Sequence, residues 1–317
     1  MQRRVVKVPQ IAPEPYQPAL KMRSDGVGLA VSGGGRHRVR SAGLEIGRAY
    51  TKIPARTAPH SLLHVVAMTA SSARLPLYRI LQSQGFGTRR YCKDLVLAGL
   101  VFINDVEMED PDALVDTAGL VLDVDGERWT YHARAYLMIN KPAGVECSQK
   151  PKHHPSVYTL LPVPLRERGV QCVGRLDQDT TGLLLLTDDG QFVHTLTSPR
   201  HQVPKVYEIT TAEPVTDAQV AQLCAGVLLD DEDENVIAAW AERVDTHHLR
   251  MALTQGKYHQ VKRMVAATGN HVTGLHRSAI GGLSLGADLA PGEWRWLDAA
   301  DIEALNTTPE RQGASGA

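Results

Sequence analysis

The densest group of residues able to do chemistry lies between Gly174 and Gly190. It reads Gly174-Arg175-Leu176-Asp177-Gln178-Asp179-Thr180-Thr181-Gly182, then the apolar run Leu183 to Leu186, then Thr187-Asp188-Asp189-Gly190. An apolar strand with acids, hydroxyls and glycines on both sides puts polar groups at the mouth of a packed sheet, and loops held by a rigid scaffold are where chemistry sits. Arg175 stands two residues before Asp177. A close cation lowers an Asp pKa by about 1–3 units, and an ionised, oriented carboxylate suits nucleophilic attack. The competing reading is that Asp177, Asp179 and the threonines serve only turns and caps. Local pattern also leaves Tyr207 as a sheet aromatic, since Val206-Tyr207-Glu208-Ile209 alternates. It leaves Lys262 as a surface lysine beside a helix face of Val261, Met264 and Val265. No metal site is expected. His153-His154 and His247-His248 lack the i, i+4 spacing and a third ligand for zinc, and Asp230-Asp231-Glu232-Asp233-Glu234 lacks the glycine and spaced oxygens of a calcium loop.

These residues need a scaffold, and the chain is long enough to build one. Its 317 residues are 43% hydrophobic and 22% charged, which predicts a real core in one large or two ordinary domains. In a first unit, Leu77, Ile80 and Leu81 recur at helical spacing, Gly85 to Gly87 break the chain, and Thr88 can cap a second helix. Leu100–Ile103 and Leu120–Val124 then read as strands, with Asn104-Asp105 as a hairpin turn. A second unit opens on the buried strand Tyr136–Pro142. Strands are expected at Leu183–Thr187, Val206–Thr210, Val236–Arg243, Leu249–Leu253 and Ala279–Leu285. Helices are expected at Gln191–Thr197, Asp217–Cys224 (capped by Thr216) and Tyr258–Thr268. Strands joined mostly by turns, with helices laid on, predict an α+β fold with a mainly antiparallel sheet.

Charge separates the ends of the chain. Residues 1–70 hold 11 Lys+Arg and three acids, with four prolines before position 20. That composition suits a disordered leader; a basic RNA-binding arm and a transit peptide are the alternatives. Residues 306–317 read as a disordered tail. The longest apolar run, Leu95–Ile103, is far short of the ~18 residues of a membrane span. Four scattered cysteines with no Cys-x-x-Cys pair suit reduced thiols in a cytoplasm.

The stretch Gly174-Arg175-Leu176-Asp177-x-x-Thr180-x-Gly182-Leu183-Leu184-Leu185-x-Thr187-x-Asp189-Gly190 resembles the catalytic motif of RNA pseudouridine synthases. The likeness continues in order through Tyr136-x-x-x-Asn140-Lys141-Pro142-x-Gly144, Thr197-Ser198-Pro199-Arg200-His201, Lys205-x-Tyr207 and Gly256-Lys257-Tyr258-His259-Gln260-Val261-Lys262-Arg263-Met264. Its close, Gly269-Asn270-His271-Val272 with Leu275-His276-Arg277 and Leu289-Ala290-Pro291-Gly292-Glu293, looks most like the branch acting on small-subunit ribosomal RNA. Residues 136–305 carry this resemblance, which implies a pseudouridine-synthase domain with a mixed, mainly antiparallel sheet and flanking helices. Residues 74–133 resemble, more loosely, an S4-type RNA-binding domain of two helices plus a small sheet.

What the resemblance implies can be set against the reaction. Making pseudouridine breaks the C1′–N1 bond, turns the uracil and joins C5 to C1′, with no redox change, so no cofactor is expected. By resemblance Asp177 is the nucleophile, at C1′ or through a glycal route, Tyr207 stacks on the base, and Lys262 pairs with Asp177. A lysine there lacks the bidentate fork of the arginine in other branches. Leaving the stack costs the base a few kcal/mol, and an aromatic platform returns roughly 1–3 kcal/mol. RNA contacts are expected from clustered cations: Arg74, Arg79, Arg89, Arg90 and Lys93 in the first unit, and Arg175, Lys141, Arg200, Lys205, Lys257 and Arg263 around the cleft. The acidic run at 230–234 reads as a solvated hairpin tip that repels RNA. The implied partner is 16S ribosomal RNA, at uridine 516, or a partly assembled small subunit. The enzyme is expected to be a cytoplasmic monomer with no membrane partner. The alternatives are an enzyme for 23S ribosomal RNA and a non-catalytic ribosome-assembly protein that only binds RNA. A third is a haloacid-dehalogenase-type phosphatase, whose Asp-x-Asp-x-Thr fits Asp177, Asp179 and Thr181 but requires an apolar strand where Arg175 stands.

Overall fold

The computed structural model describes residues 73–309 and 311, so the expected leader over 1–70 lies outside the described residues. The first unit opens with a short strand, β1 (Arg74–Pro76), and helix α1 (Leu77–Gln84), whose Leu77, Ile80 and Leu81 are fully buried. Gly85 ends α1 in the left-handed region, at φ 91°. Thr88 caps α2 (Arg89–Leu97) by accepting a hydrogen bond from the Tyr91 N–H, a contact worth about 1 kcal/mol. The strands β2 (Val101–Ile103), β3 (Val106–Glu107), β4 (Leu114–Asp116), β5 (Val121–Val124) and β6 (Glu127–Thr130) follow. Four of them form a sheet in the order β3-β2-β5-β6, while β4 pairs with β1. The β2–β3 turn is Asn104-Asp105, both at positive φ (50° and 63°), the conformation a two-residue hairpin needs and that Asn and Asp tolerate.

The larger sheet begins with β7 (Tyr136–Lys141), buried along its whole length. After a 3-10 turn at Val157–Leu160 come α3 (Val163–Glu167), β8 (Gln171–Cys172), β9 (Thr181–Thr187), α4 (Gly190–Thr197) and β10 (Lys205–Thr211). Then α5 (Asp217–Ala225), β11 (Trp240–Arg243), β12 (His248–Leu253) and α6 (Gln260–Ala267) lead to β13 (Val272–Ile280), β14 (Leu283–Ser284), β15 (Trp294–Trp296) and α7 (Ala299–Ala304). The nine strands run in the order β11-β12-β10-β13-β9-β7-β15, with β14 on β13 and β8 on β9. Every pairing is antiparallel except β13–β9, which makes the sheet mixed and mainly antiparallel, as expected. Alternation in β9 explains its double burial. Leu183 and Leu185 pack in one core with Phe192 and Leu196 of α4, while Leu184 and Leu186 pack in the other with Val157 and Leu165.

The parallel β9–β13 contact depends on Gly182. Its φ is 104°, and a Cβ there would lie 2.3 Å from the carbonyl oxygen of Arg277. The small unit is tied to the large sheet through Gln84, which is fully buried. Its Oε1 accepts from Trp129 Nε1, the His132 N–H and Arg168 Nη1, and Arg168 pairs with Asp188 at 2.6 Å.

Three expected elements shift. The strand expected at Ala279–Leu285 is the end of β13 and the short β14. The polar, glycine-containing start of β13 shows no local strand pattern and is strand because β10 and β9 pair with it. The strand expected from Val236 begins only at Trp240, with Val236 making a single bridge to Val227. The helix expected from Tyr258 starts at Gln260, because His259 is left-handed at φ 47°. At the C-terminal end, part of the expected tail is packed: the Thr307 N–H bonds the Ala304 carbonyl and Arg311 lies over the Trp240 ring. Among the described residues no helix is long and apolar enough to cross a membrane, and no three His, Cys, Asp or Glu cluster as metal ligands.

Candidate active site

Asp177 sits in the loop between β8 and β9, and the loop is held from behind. Leu176 is buried, and its N–H points at Cys147 Sγ at 3.5 Å. The Gly144 N–H bonds the Gln178 carbonyl at 2.8 Å, and the Thr180 N–H closes a turn on the Asp177 carbonyl at 3.2 Å. Lys141 completes the support. Expected among the cations meeting RNA, it is instead fully buried. Its ammonium donates to the carbonyls of Pro142 (3.0 Å), Gln178 (3.2 Å) and Thr180 (2.9 Å). Burial pushes its pKa below the ordinary lysine value. Three fixed carbonyls use all three ammonium protons, so Lys141 shapes the Asp177 loop from inside and offers nothing to a ligand.

The Asp177 carboxylate is about one-third exposed and faces the N-terminal end of α6, where His259 Nε2 lies 3.4 Å from Oδ1 and Lys262 Nζ 3.6 Å from Oδ2. Lys262 is closer to Asp179, at 2.7 and 2.8 Å from its two oxygens. That hydrogen-bonded ammonium holds the Asp179 carboxyl below the usual range. Lys262 is thus shared between two carboxylates, with Asp179 its principal partner. Tyr207, half-buried in β10, lines the same open depression as Asp177 and Arg175, and this cavity of about 440 Å³ reaches back to Lys205 and Arg277.

The remaining expected contacts divide by location. Arg175 is exposed at the cavity wall. Lys257 and Arg263 flank the start of α6, but each is paired with an acid from the 230–234 run, Lys257 with Glu232 and Arg263 with Asp231. In the small unit Arg74, Arg89 and Arg90 are exposed, whereas Lys93 is bonded to Asp112 at 2.6 Å; both Arg89 and Lys93 lie over the Tyr78 ring.

A family model described as RNA pseudouridylate synthase matches residues 135–267, the span that contains this loop, Tyr207 and α6. The ribosomal small subunit pseudouridine synthase A of Escherichia coli (strain K12) is 46% identical over 174 residues, covering 55% of this chain and 75% of that protein. The chain belongs to the RNA pseudouridine synthase family. The protein of the same name from Pasteurella multocida (strain Pm70) is 39% identical over 221 residues, covering 69% of this chain and 94% of its own. A solved structure, "Crystal structure of pseudouridylate synthase", is 36% identical, covers 74% of this chain and all of its own, and superposes with a TM-score of 0.52.

Within this pseudouridine synthase, sequence reasoning did not place His259 against Asp177, Asp179 on Lys262, or the acidic run on cleft cations. His259 reaches Asp177 because the residue before α6 takes a left-handed conformation, and its ring stacks on Tyr258 at 3.8 Å. The available signal was a histidine directly before the Lys262 helix. The pairing of Glu232 and Asp231 with cleft cations had no local signal, since 25 or more residues separate each pair.

Proposed function

We propose that this pseudouridine synthase isomerises one uridine of 16S ribosomal RNA, uridine 516 by resemblance, with Asp177 as the nucleophile and without a cofactor. It acts as a monomer in the cytoplasm, on the RNA or on partly assembled small subunits where the uridine can still be reached. Tyr207 stacks on the extruded base, and Lys262 holds positive charge between Asp177 and Asp179. The unit over 74–133 acts as an S4-like RNA-binding domain through Arg74, Arg89 and Arg90, ahead of a catalytic domain over 136–305. The observation that carries this reading is the meeting of Asp177 and Tyr207 in one open cavity, with His259 and Lys262 on the carboxylate. The small-subunit names of the relatives support the choice of RNA.

The test is carbodiimide mapping of pseudouridine across both ribosomal RNAs, in cells with the wild-type protein, with none, and with Asp177→Asn. One 16S site present only with the wild type is the expected result. A site in 23S RNA keeps the chemistry and overturns the substrate. No difference in either RNA overturns the reading.

A further inference from the structure

Two cations at the back of the cavity have no counter-charge among the described residues. Lys205 and Tyr207 are two residues apart on β10, so their side chains share one face of the sheet. Arg277 lies directly across from Tyr207 in the β10–β13 register. All three line the cavity that contains Asp177. Arg277 is 3% exposed, and its Nε donates to the Leu183 carbonyl at 2.8 Å, but its Nη2 has no hydrogen-bond partner. Among the described residues Lys205 Nζ donates only to the Leu196 carbonyl, at 3.1 Å, and neither cation pairs with a carboxylate. Burial and the charge of Arg277 push the Lys205 pKa down to about 8.

A buried and a half-buried cation side by side, with an unpartnered donor and no paired acid, are unfavourable by themselves, and they become favourable when negative charge arrives. The reaction generates that charge at this place. When C1′–N1 breaks, the bonding pair stays with the base. Uracil therefore departs as a monoanion, its charge spread over N1 and the two carbonyl oxygens, whether Asp177 bonds C1′ or takes a proton from C2′. When C5 joins C1′ the Asp177 carboxylate is restored, by breaking its bond to C1′ on the first route or by returning the proton to C2′ on the second. C5 then gives up its proton and N1 takes one, so the sum is an isomerisation. A base stacked on Tyr207 would lie beside Lys205 and Arg277.

We propose that Lys205 and Arg277 form an anion site that stabilises the uracil monoanion between bond breakage and rejoining. This rests on the reading that Asp177 and Tyr207 are the site of the reaction. Preorganised donors aimed at developing charge act mainly on the rate, and removal of one such donor typically lowers kcat by about 10²–10³-fold.

The experiment is single-turnover cleavage of the target C1′–N1 bond on a 16S fragment, followed as pseudouridine formation for uridine and as loss of the N-nucleoside for the more acidic 5-fluorouridine. The fluorinated C5 has no proton to give up and so yields a fluorinated C-nucleoside in place of pseudouridine. The proteins are wild type, Lys205→Gln, Lys205→Arg, Arg277→Lys and Arg277→Gln, each checked for native thermal unfolding. The expected result is a fall of roughly 10²-fold for Lys205→Gln with RNA affinity unchanged within threefold, and partial recovery in Lys205→Arg. The defect in C1′–N1 cleavage should shrink at least several-fold with 5-fluorouridine, whose base needs less help to carry the charge. A defect equal for both bases, or one seen only in affinity and its salt dependence, assigns the cations to a backbone phosphate and overturns the proposal. So does full activity in Lys205→Gln, which keeps the test decisive if the buried Arg277 variants fail to fold. A wild type that makes no pseudouridine overturns the underlying assignment of the site instead.

Discussion

The cations of the small unit and those at the rim of the cleft are placed under opposite conditions. On the small unit Arg74, Arg79 and Arg89 are exposed and, among the described residues, pair with no carboxylate, while Arg90 has a loose contact with Asp94 at 4.0 Å. At the rim Lys257, Lys262 and Arg263 each come already paired, with Glu232, Asp179 and Asp231. A phosphate arriving at the first set displaces only mobile counterions, a gain that depends steeply on salt. At the rim it must displace tethered carboxylates, so little net charge is exchanged. The difference teaches that affinity and chemistry can be separated in this molecule. On the proposed reading, the small unit supplies general attraction to RNA, while the rim admits RNA only where further contacts outweigh its own acids.

The strongest test of that separation is Asp177→Asn. It should lower single-turnover pseudouridine formation by roughly 10⁴-fold or more while RNA affinity, measured by filter binding, stays within a few fold. A mutant with wild-type rate would end the assignment of chemistry to the rim. Next in size is the double substitution Arg89→Gln with Arg90→Gln. Affinity should fall about tenfold at physiological salt and the salt slope should drop by about 2, with the rate at saturating RNA unchanged. An unchanged slope would remove the small unit from RNA binding.

Smaller and opposite in sign is Asp231→Asn with Glu232→Gln. Freed of their acids, Lys257 and Arg263 should bind RNA roughly two- to fivefold more tightly, with a steeper salt slope. Weaker binding would mean that the acids only hold the loop in place. The smallest effect concerns Asp179, whose pKa is held down by the Lys262 hydrogen bond. Because the folded-state pKa is the lower one, the pair stabilises the fold fully above the ordinary value of 3.8 and loses that contribution as pH falls through the folded value. With Asp179 more than half exposed the gain should stay below about 1 kcal/mol. Urea unfolding of wild type and Asp179→Asn at pH 7 and pH 3 would measure it. A larger gap at pH 3 than at pH 7 would contradict the sign.

Much of the scaffold is legible in the sequence alone. Thr88 and Thr216 cap the helices they precede, Asn104-Asp105 makes its left-handed turn, and Leu183 to Leu186 form a strand buried on both faces. Each follows from forces acting within about four residues: a hydroxyl meets the N–H three positions on, and side chains alternate along a strand. The order of motifs likewise pointed to the family, because the stretches around Asp177, Tyr207 and Lys262 resemble its motifs one after another along the chain.

Which charges meet which is a different kind of fact. Lys141 and Lys262 look alike in sequence, yet one is sealed among three carbonyls and the other stands between two carboxylates. The 230–234 run reads as a solvated tip, yet two of its acids are bonded to cleft cations. His259 meets Asp177 across 82 residues, and Arg277 reaches the cavity on the one parallel pairing of the sheet, which a glycine at position 182 permits. Local rules settle where helices and strands form. The partners of a charged side chain are settled by packing between segments far apart in the chain, where burial makes an unpaired charge costly and leaves few arrangements that satisfy it.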